Sequence, residues 1–235
     1  LEIANSYIGF ENARSLSSQF HLIGPILSET VSPLSEDLVP FFDSHKKILY
    51  IAFGSLIKFK NELARNMLEH FQKLLNDGWI DGIVWGGMEN TNTSEFPKTY
   101  TVDNIEYSTE SILDGTHEQF KLLKWAPQDA ILNHPHTKLF MNHGGLESIY
   151  EAINSGTPMV VIPYIADQPR NAVLVKEHGI GDYIEWSLDS DALIYKKFVS
   201  LLDPSNTDLK ANLEQFKLIS KFSANRKLYA ADLIE

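Results

Sequence analysis

Cysteine is absent from the 235 residues of this chain. That excludes a disulfide framework, a thiolate-bound zinc and a cysteine nucleophile within it. Long apolar runs are also absent. A bilayer-spanning helix needs roughly 18 consecutive apolar residues, and Met159 to Ala166 is among the longest runs here. Basic residues are scarce: 20 Lys and Arg stand against 31 Asp and Glu, a net charge of −11. That balance argues against a general binder of nucleic acid or of anionic membranes. There is no internal repeat and no low-complexity tract. The motifs of a P-loop, G-x-G-x-x-G, G-x-S-x-G and H-E-x-x-H do not occur. Leu1-Glu2-Ile3-Ala4-Asn5 offers neither an initiator Met nor a basic segment, so no signal peptide is visible. The chain is therefore expected to be a fragment or a processed product, soluble as given and intracellular.

What is present describes a folded protein. About 43% of the residues are hydrophobic and 22% charged, the proportions of a globular chain. The length allows one large α/β domain or two small ones. From Ile23 to Pro40, glycine and prolines among Ser and acidic residues read as a linker or surface loop. A regular alternation follows. Ile48 to Phe53 is a short buried strand. Asn61 to Asn76 has helical spacing and stops at Gly78. Ile80 to Trp85 is a second strand. Met88 to His117 has little periodicity and reads as a long exposed excursion. Strands are then predicted at Gln119–Trp125, Thr137–Asn142, Met159–Pro163 and Asp182–Trp186. Helices are predicted at Leu146–Ser155 and Gln168–His178, with a mostly helical tail from Asp189 broken at Pro204. This alternation predicts an α/β fold: a parallel sheet with helices on both faces. Such sheets bind ligands beyond the carboxyl ends of their strands.

Three predicted strand-to-helix turns at that edge carry polar or glycine residues: 125–128, 143–145 and 163–168. His143-Gly144-Gly145 directly precedes a helix. Glycines permit close backbone approach, and a helix start offers unpaired N–H groups and partial positive charge, so the turn suits a phosphate. A tight turn that only caps the helix fits the same three residues equally well.

The segment W-A-P-Q-D-A-I-L-N-H-P, with F-M-N-H-G-G-L-E-S-I-Y-E-A-I-N-S-G-T-P-M-V-V-I-P-Y-I-A-D-Q-P-R-N-A after it, resembles the signature of UDP-dependent glycosyltransferases. That family holds the plant glucosyltransferases and the animal glucuronosyltransferases. The 44 residues from Trp125 to Gln168 match its span, with four clusters in register. Phe53-Gly54-Ser55 and His21-Leu22-Ile23-Gly24-Pro25 are also similar to family features, and His-Gly-Gly resembles the animal and fungal form. The resemblance implies the C-terminal, Rossmann-like half of a GT-B glycosyltransferase. It implies residues 1–40 as the end of an N-terminal domain and linker, 41–221 as the UDP-sugar-binding domain, and 222–235 as a helix returning to that N-terminal domain. Leu228, Tyr229, Leu233 and Ile234 would then be exposed apolar surface.

The resemblance also implies roles. Trp125 would stack on uracil, where a Trp at a strand end is otherwise a core or rim residue. The Ala126 backbone would pair with the uracil edge. Gln128 and Glu151 would hold the ribose hydroxyls, although a helical Glu is otherwise simply exposed. Ser55, His143, Gly145 and Ser148 would surround the diphosphate, His143 being alternatively a structural histidine. Asp167 and Gln168 would bind the transferred sugar, or else merely cap a helix. Family members usually have Asn where this chain has Glu147, and a carboxylate there would repel a diphosphate unless it turns away.

The remaining features are weaker. His134 and His136 lack a third metal ligand, so no metal or other cofactor is expected beyond UDP-sugar as co-substrate. Asp189-Ser190-Asp191 reads as a helix cap. Asn92-Thr93-Ser94 fits a glycosylation sequon. The family's reaction is displacement with inversion at the anomeric carbon, with a His general base in the N-terminal domain. No catalytic base is therefore assigned here, and the acceptor, a small lipophilic molecule, is expected to bind the absent domain. Full-length animal-type relatives are anchored in the endoplasmic reticulum membrane. Two readings stand: the donor-binding domain of a hexosyltransferase using glucose or glucuronic acid, or a divergent, non-catalytic UDP-binding module.

Overall fold

Apolar runs and amphipathic stretches separate into strands and helices in the computed structural model, which describes residues 1–12, 15–54, 61–87 and 96–234. In chain order the elements are β1 (Glu2–Ala4), β2 (Phe20–Leu22), α1 (Val39–Ser44), β3 (Ile48–Ala52), α2 (Asn61–Asn76), β4 (Gly82–Gly86), β5 (Thr99–Val102) and β6 (Ile105–Ser108). There follow α3 (Glu110–Leu113), β7 (Phe120–Leu122), α4 (Gln128–Asn133), β8 (Thr137–Asn142), α5 (Leu146–Ser155), β9 (Met159–Val161) and α6 (Gln168–Glu177). The last are β10 (Gly181–Tyr183), α7 (Asp191–Leu202), α8 (Thr207–Ala224) and α9 (Arg226–Ile234).

Six strands form one parallel sheet in the order β10-β9-β8-β3-β4-β7. Every residue of β3 and of β4 is buried, which requires cover on both faces. Helix α2 provides part of it. Its Met67, Leu68, Phe71 and Leu74 recur at helical spacing and are all buried. The order of the strands decides where a ligand can sit. From β3 the chain steps outward to β4 and β7, then returns to the other side of β3 to lay down β8. The turns after β3 and β8 therefore diverge at adjacent carboxyl ends, which opens a crevice there. The register sets Ala52 opposite Asn142 on one side and opposite Gly86 on the other.

The first residues add to this core. β1 and β2 pair in parallel, and Tyr7 and Phe10 are buried against Tyr150, with ring centroids 5.3 and 5.5 Å away. The Tyr150 hydroxyl donates to Ser6 Oγ at 2.8 Å, and Arg170 pairs with Glu11 at 2.6 Å. At the other end Phe222, Leu228 and Ile234 are exposed, and Tyr229 partly so.

Several expected boundaries move. The strand expected to reach Trp125 ends at Leu122, and that expected over 182–186 lies at Gly181–Tyr183. Strand ends depend on the length of the neighbouring strand, which local sequence does not carry. The exposed excursion is a larger correction. Within it, β5 and β6 form an antiparallel hairpin, and Phe96, Tyr100, Val102 and Ile112 are buried. The turn is Asp103-Asn104, both at positive φ (50° and 65°), the two-residue geometry that suits a tight hairpin. Four-residue strands are too short to show a period. Residues 88–95, with the Asn92 sequon, lie outside the described residues. Ser190 caps α7 as expected, its side chain accepting from Leu193 N.

The hairpin is tied to α2 by the Tyr100 hydroxyl, which donates to Gln72 Oε1 at 2.8 Å. Tyr100→Phe removes that buried bond and is expected to cost about 1–2 kcal/mol. Urea unfolding monitored by circular dichroism checks this, and an unchanged midpoint contradicts the packing described.

Candidate functional site

The connections after β7, β8 and β9 contribute four groups of side chains at the carboxyl edge. Trp125, on the loop between β7 and α4, is 80% exposed. A large flat ring left in water at this edge is a surface for stacking a planar ligand. Ala126 beside it is half-buried and lies close over Gly86; a Cβ on Gly86 would come within 2.7 Å of the Ala126 methyl.

Gln128, the first residue of α4, stands at the centre of a second group. Its carbonyl accepts from the Tyr50 hydroxyl at 3.2 Å. Its amide nitrogen donates to Ser148 Oγ at 3.3 Å and to Glu151 Oε2. Burial pushes the Glu151 carboxyl above its usual range. The Gln128 hydrogen bond partly offsets this, and nearby Asp129 and Glu147 push it further up. Glu147 lies one helical turn before Glu151 and is exposed. Both line a recess of about 260 Å³ with Asp129, Thr30 and Val31. Glu147 thus lines a recess that meets the candidate site at Glu151.

The turn 143–145 forms the third group. Gly144 sits at φ +86°, and a Cβ there would strike Val161 Cγ1 at 2.8 Å. A Cβ on Gly145 would stand 2.4 Å from His143 Nε2. The imidazole is therefore folded against the start of α5 in a way that glycine alone permits. Gly145 is the helix N-cap and has no side-chain cap, so the first-turn amides remain available to an anion. Burial pulls the His143 pKa down, opposed in part by Asp167, and the ring is neutral at pH 7. Its Nδ1 is buried and without a partner among the described residues.

The fourth group follows β9. Asp167 precedes α6, and its side chain makes no cap bond. Its carboxylate accepts from Asn171 Nδ2 at 2.8 Å, and the same nitrogen donates to Gly144 O at 2.9 Å. Asn171 thus clamps the glycine turn to the Asp167 loop. Gln168 is buried, and its carbonyl accepts from the Tyr164 and Ile165 amides, both at 2.9 Å. Ala166 is held at φ +58°, a conformation that costs a non-glycine residue free energy and recurs at functional sites.

The structure therefore joins Gln128, Ser148 and Glu151 in one network, and His143, Gly145 and Asp167 around the glycine turn. Gln168 braces its own loop. Trp125 and Ala126 adjoin through the chain, and Ser55 lies outside the described residues. Sequence reading missed Tyr50, Asn142 and Asn171. Asn171 lies four residues after Asp167 on a helix, which is a readable signal. Tyr50 is 78 residues from Gln128 and gave none. Asn142 is fully buried, and its Oδ1 accepts from Gly144 N at 2.8 Å.

A larger cavity, about 750 Å³, opens at the opposite, amino ends of the strands, between Trp79, Thr137, Leu201 and Leu209. Its lysines 47, 138 and 210 donate to the backbone carbonyls of Gly78, Pro135 and Pro204. The helix start beside it, that of α8, is capped by the Asn206 side chain, so among the described residues the carboxyl-edge crevice is the stronger candidate site. Among the described residues no trio of His, Asp or Glu could hold a metal, and no helix is long and apolar enough to cross a membrane.

A family model described as UDP-glucoronosyl and UDP-glucosyl transferase matches residues 1–195. A UDP-glycosyltransferase of Talaromyces amestolkiae is 30% identical over 241 residues, covering 100% of this chain and 45% of that protein. The mouse (Mus musculus) UDP-glucuronosyltransferase 3A2 is 30% identical over 207 residues, covering 85% of this chain and 35% of the relative. The chain therefore spans less than half the length of these relatives. Among solved structures, a UDP-glucose: anthocyanidin 3-O-glucosyltransferase in complex with UDP aligns at a TM-score of 0.68 and 18% identity, over 90% of this chain and 46% of that one. That likeness shows a shared fold.

Glu151→Gln removes a carboxylate that burial and like-charged neighbours disfavour. The folded pKa is raised, so the carboxylate penalises folding as pH rises from about 4.5 through the folded value. The variant is expected to melt about 2 °C higher at pH 7, where roughly 0.5–1 kcal/mol gives such a shift, and to match the parent near pH 4. Thermal melts across that range check it.

Proposed function

The chain belongs to the UDP-glucuronosyl and UDP-glucosyl transferase family, and from that premise we propose that it is the donor-binding domain of an inverting hexosyltransferase. The donor is UDP-glucose or UDP-glucuronic acid, and the acceptor is a small lipophilic molecule. Residues 41–221 form the nucleotide-sugar domain in this reading. Residues 1–40 lead in from an acceptor domain, and 222–235 return toward it.

The observation that carries the proposal is the convergence at the carboxyl edge. An exposed Trp, a half-buried amide–carboxylate pair, an uncapped helix start and a strained loop beside Asp167 follow three strands in succession, β7, β8 and β9. These are the contacts a base, a ribose, a diphosphate and a sugar need, in that order. Trp125 stacks on uracil, and the Ala126 backbone pairs with its edge. Gln128 and Glu151 take the ribose diol. The α5 amides, His143, Gly145, Ser148 and Ser55 receive the diphosphate, and Asp167 with Gln168 meets the hexose.

The chemistry then follows from charge. As the acceptor oxygen attacks the anomeric carbon, the bond to UDP breaks and negative charge grows on the departing phosphate. Pre-aimed amides and a helix start stabilise that charge without reorganising. A neutral His143 contributes one N–H and takes no proton from the acceptor. The general base is assigned to a part of the enzyme outside this chain. No metal is required for the leaving group in this scheme.

One observation favours a second reading, a divergent module that binds UDP weakly and does no chemistry. Glu147 stands in the first turn of α5 and shares an acidic recess with Asp129 and Glu151, and negative charge near that helix start opposes a diphosphate there.

Two measurements separate these readings. With UDP at about 100 times its Kd, mass action stabilises the folded chain by about 2.7 kcal/mol, an expected rise in melting temperature of roughly 5–10 °C. Trp125→Ala abolishes it, and no shift at millimolar UDP counts against donor binding. Glu147→Asn is expected to tighten UDP binding about two- to fivefold by removing a partly screened repulsion. Calorimetry that finds equal or weaker binding refutes that role for Glu147.

A further inference from the structure

We infer that Tyr50, on the central strand, is a positioning residue that locks the side-chain amide of Gln128 and thereby presents Glu151 to the ribose diol. The inference rests on the donor-site reading above and deepens it.

The geometry leaves the amide one orientation. An ionised Glu151 only accepts hydrogen bonds, so Gln128 must turn its amide nitrogen toward it. The Gln128 carbonyl then faces the other way, into the sheet. There it needs a donor, because a buried carbonyl without one is costly. The Tyr50 hydroxyl, 3.2 Å away, is that donor. Tyr50 is 1% exposed, and its ring is stacked on Phe140 at 5.0 Å and 10°. The hydroxyl is thus held by packing rather than by solvent. Burial keeps it protonated far above neutral pH.

The neighbouring strand packs alongside it. A Cβ on Gly86 would sit 3.5 Å from the Tyr50 hydroxyl and 2.7 Å from Ala126 Cβ. The glycine is thus required by the loop that carries Trp125, while the Tyr50 hydroxyl lies at ordinary contact distance from it. A proton from the core strand passes its orientation to the amide, and the amide to one oxygen of Glu151. The other oxygen is left for a hydroxyl of the ligand. A flipped amide would set its oxygen against the carboxylate and undo the arrangement.

Tyr50→Phe keeps the ring and removes the proton. The test compares UDP with 2′,3′-dideoxy-UDP by calorimetry on the full chain. The parent is expected to prefer UDP, and Tyr50→Phe to reduce that preference roughly five- to tenfold. In a Gln128→Ala background Tyr50→Phe is expected to change nothing further, because it acts through the amide. Phe140→Leu loosens the stack that holds the hydroxyl and is expected to reduce the preference in the same direction, by less than Tyr50→Phe. A ligand-free readout separates the two levels of the argument. In Tyr50→Phe the Glu151 carboxyl, followed by NMR titration, should move up, because its Gln128 hydrogen bond is loosened. An unmoved titration, or an undiminished preference for UDP, overturns the positioning role. A parent chain that fails to bind UDP overturns the donor-site reading, while the titration alone still decides whether the Tyr50–Gln128–Glu151 relay exists.

Discussion

The parallel pairing of β3 with β8 is the constraint on which the candidate site depends. It joins the strand that starts the sheet to the strand laid down after the chain has gone out through β4 and β7 and come back. Adjacent strands whose following connections diverge leave a crevice at their carboxyl ends. The turn after β3 approaches the ring of His143: a Cβ on Gly54 would lie 3.2 Å from its Cε1. Slip the β3–β8 register by one residue and Tyr50 would face the opposite side of the sheet, away from Gln128. Core packing and ligand geometry are therefore one arrangement. The residues that cover β3 also aim the groups at its end.

The electrostatics are local in the same sense. The chain carries a net charge of −11, yet its candidate ligand is an anion. In the proposed site the anion meets a helix start with no side-chain cap, whose effect falls off within the first turn. The acidic residues cluster instead around Glu151, where burial and Asp129 and Glu147 all raise its pKa. A free energy cost is stored in the unliganded site there and at Ala166, held at positive φ. Sites that must desolvate and pair with a ligand commonly carry such costs.

Much of the fold was legible because its signals are local. The bounds of α2, β8 and α5 follow from apolar spacing and flanking turn residues, and the Ser190 cap from its place before an apolar run. The β5–β6 hairpin was not legible. Its strands have four residues each, below the length at which alternation shows, and its burial comes from contact with α2. In the site, Trp125, His143, Glu151 and Asp167 were legible through the resemblance of their segment to a family signature. Tyr50 did not, since an apolar run hides a tyrosine whose hydroxyl has one partner far along the chain.

The sequence by itself determined the alternation of strands and helices, the glycines at the close turn, and the residue types offered at the carboxyl edge. Those follow from periodicity and from backbone conformations that only certain residues adopt. The tertiary structure alone decided which of these residues meet. Tyr50, Gln128, Ser148 and Glu151 come from a strand and two helices. One Asn171 nitrogen links two loops. Hydrogen-bond partners across such distances are selected by sheet order and register, and these minimise the free energy of the whole core rather than of any segment in it.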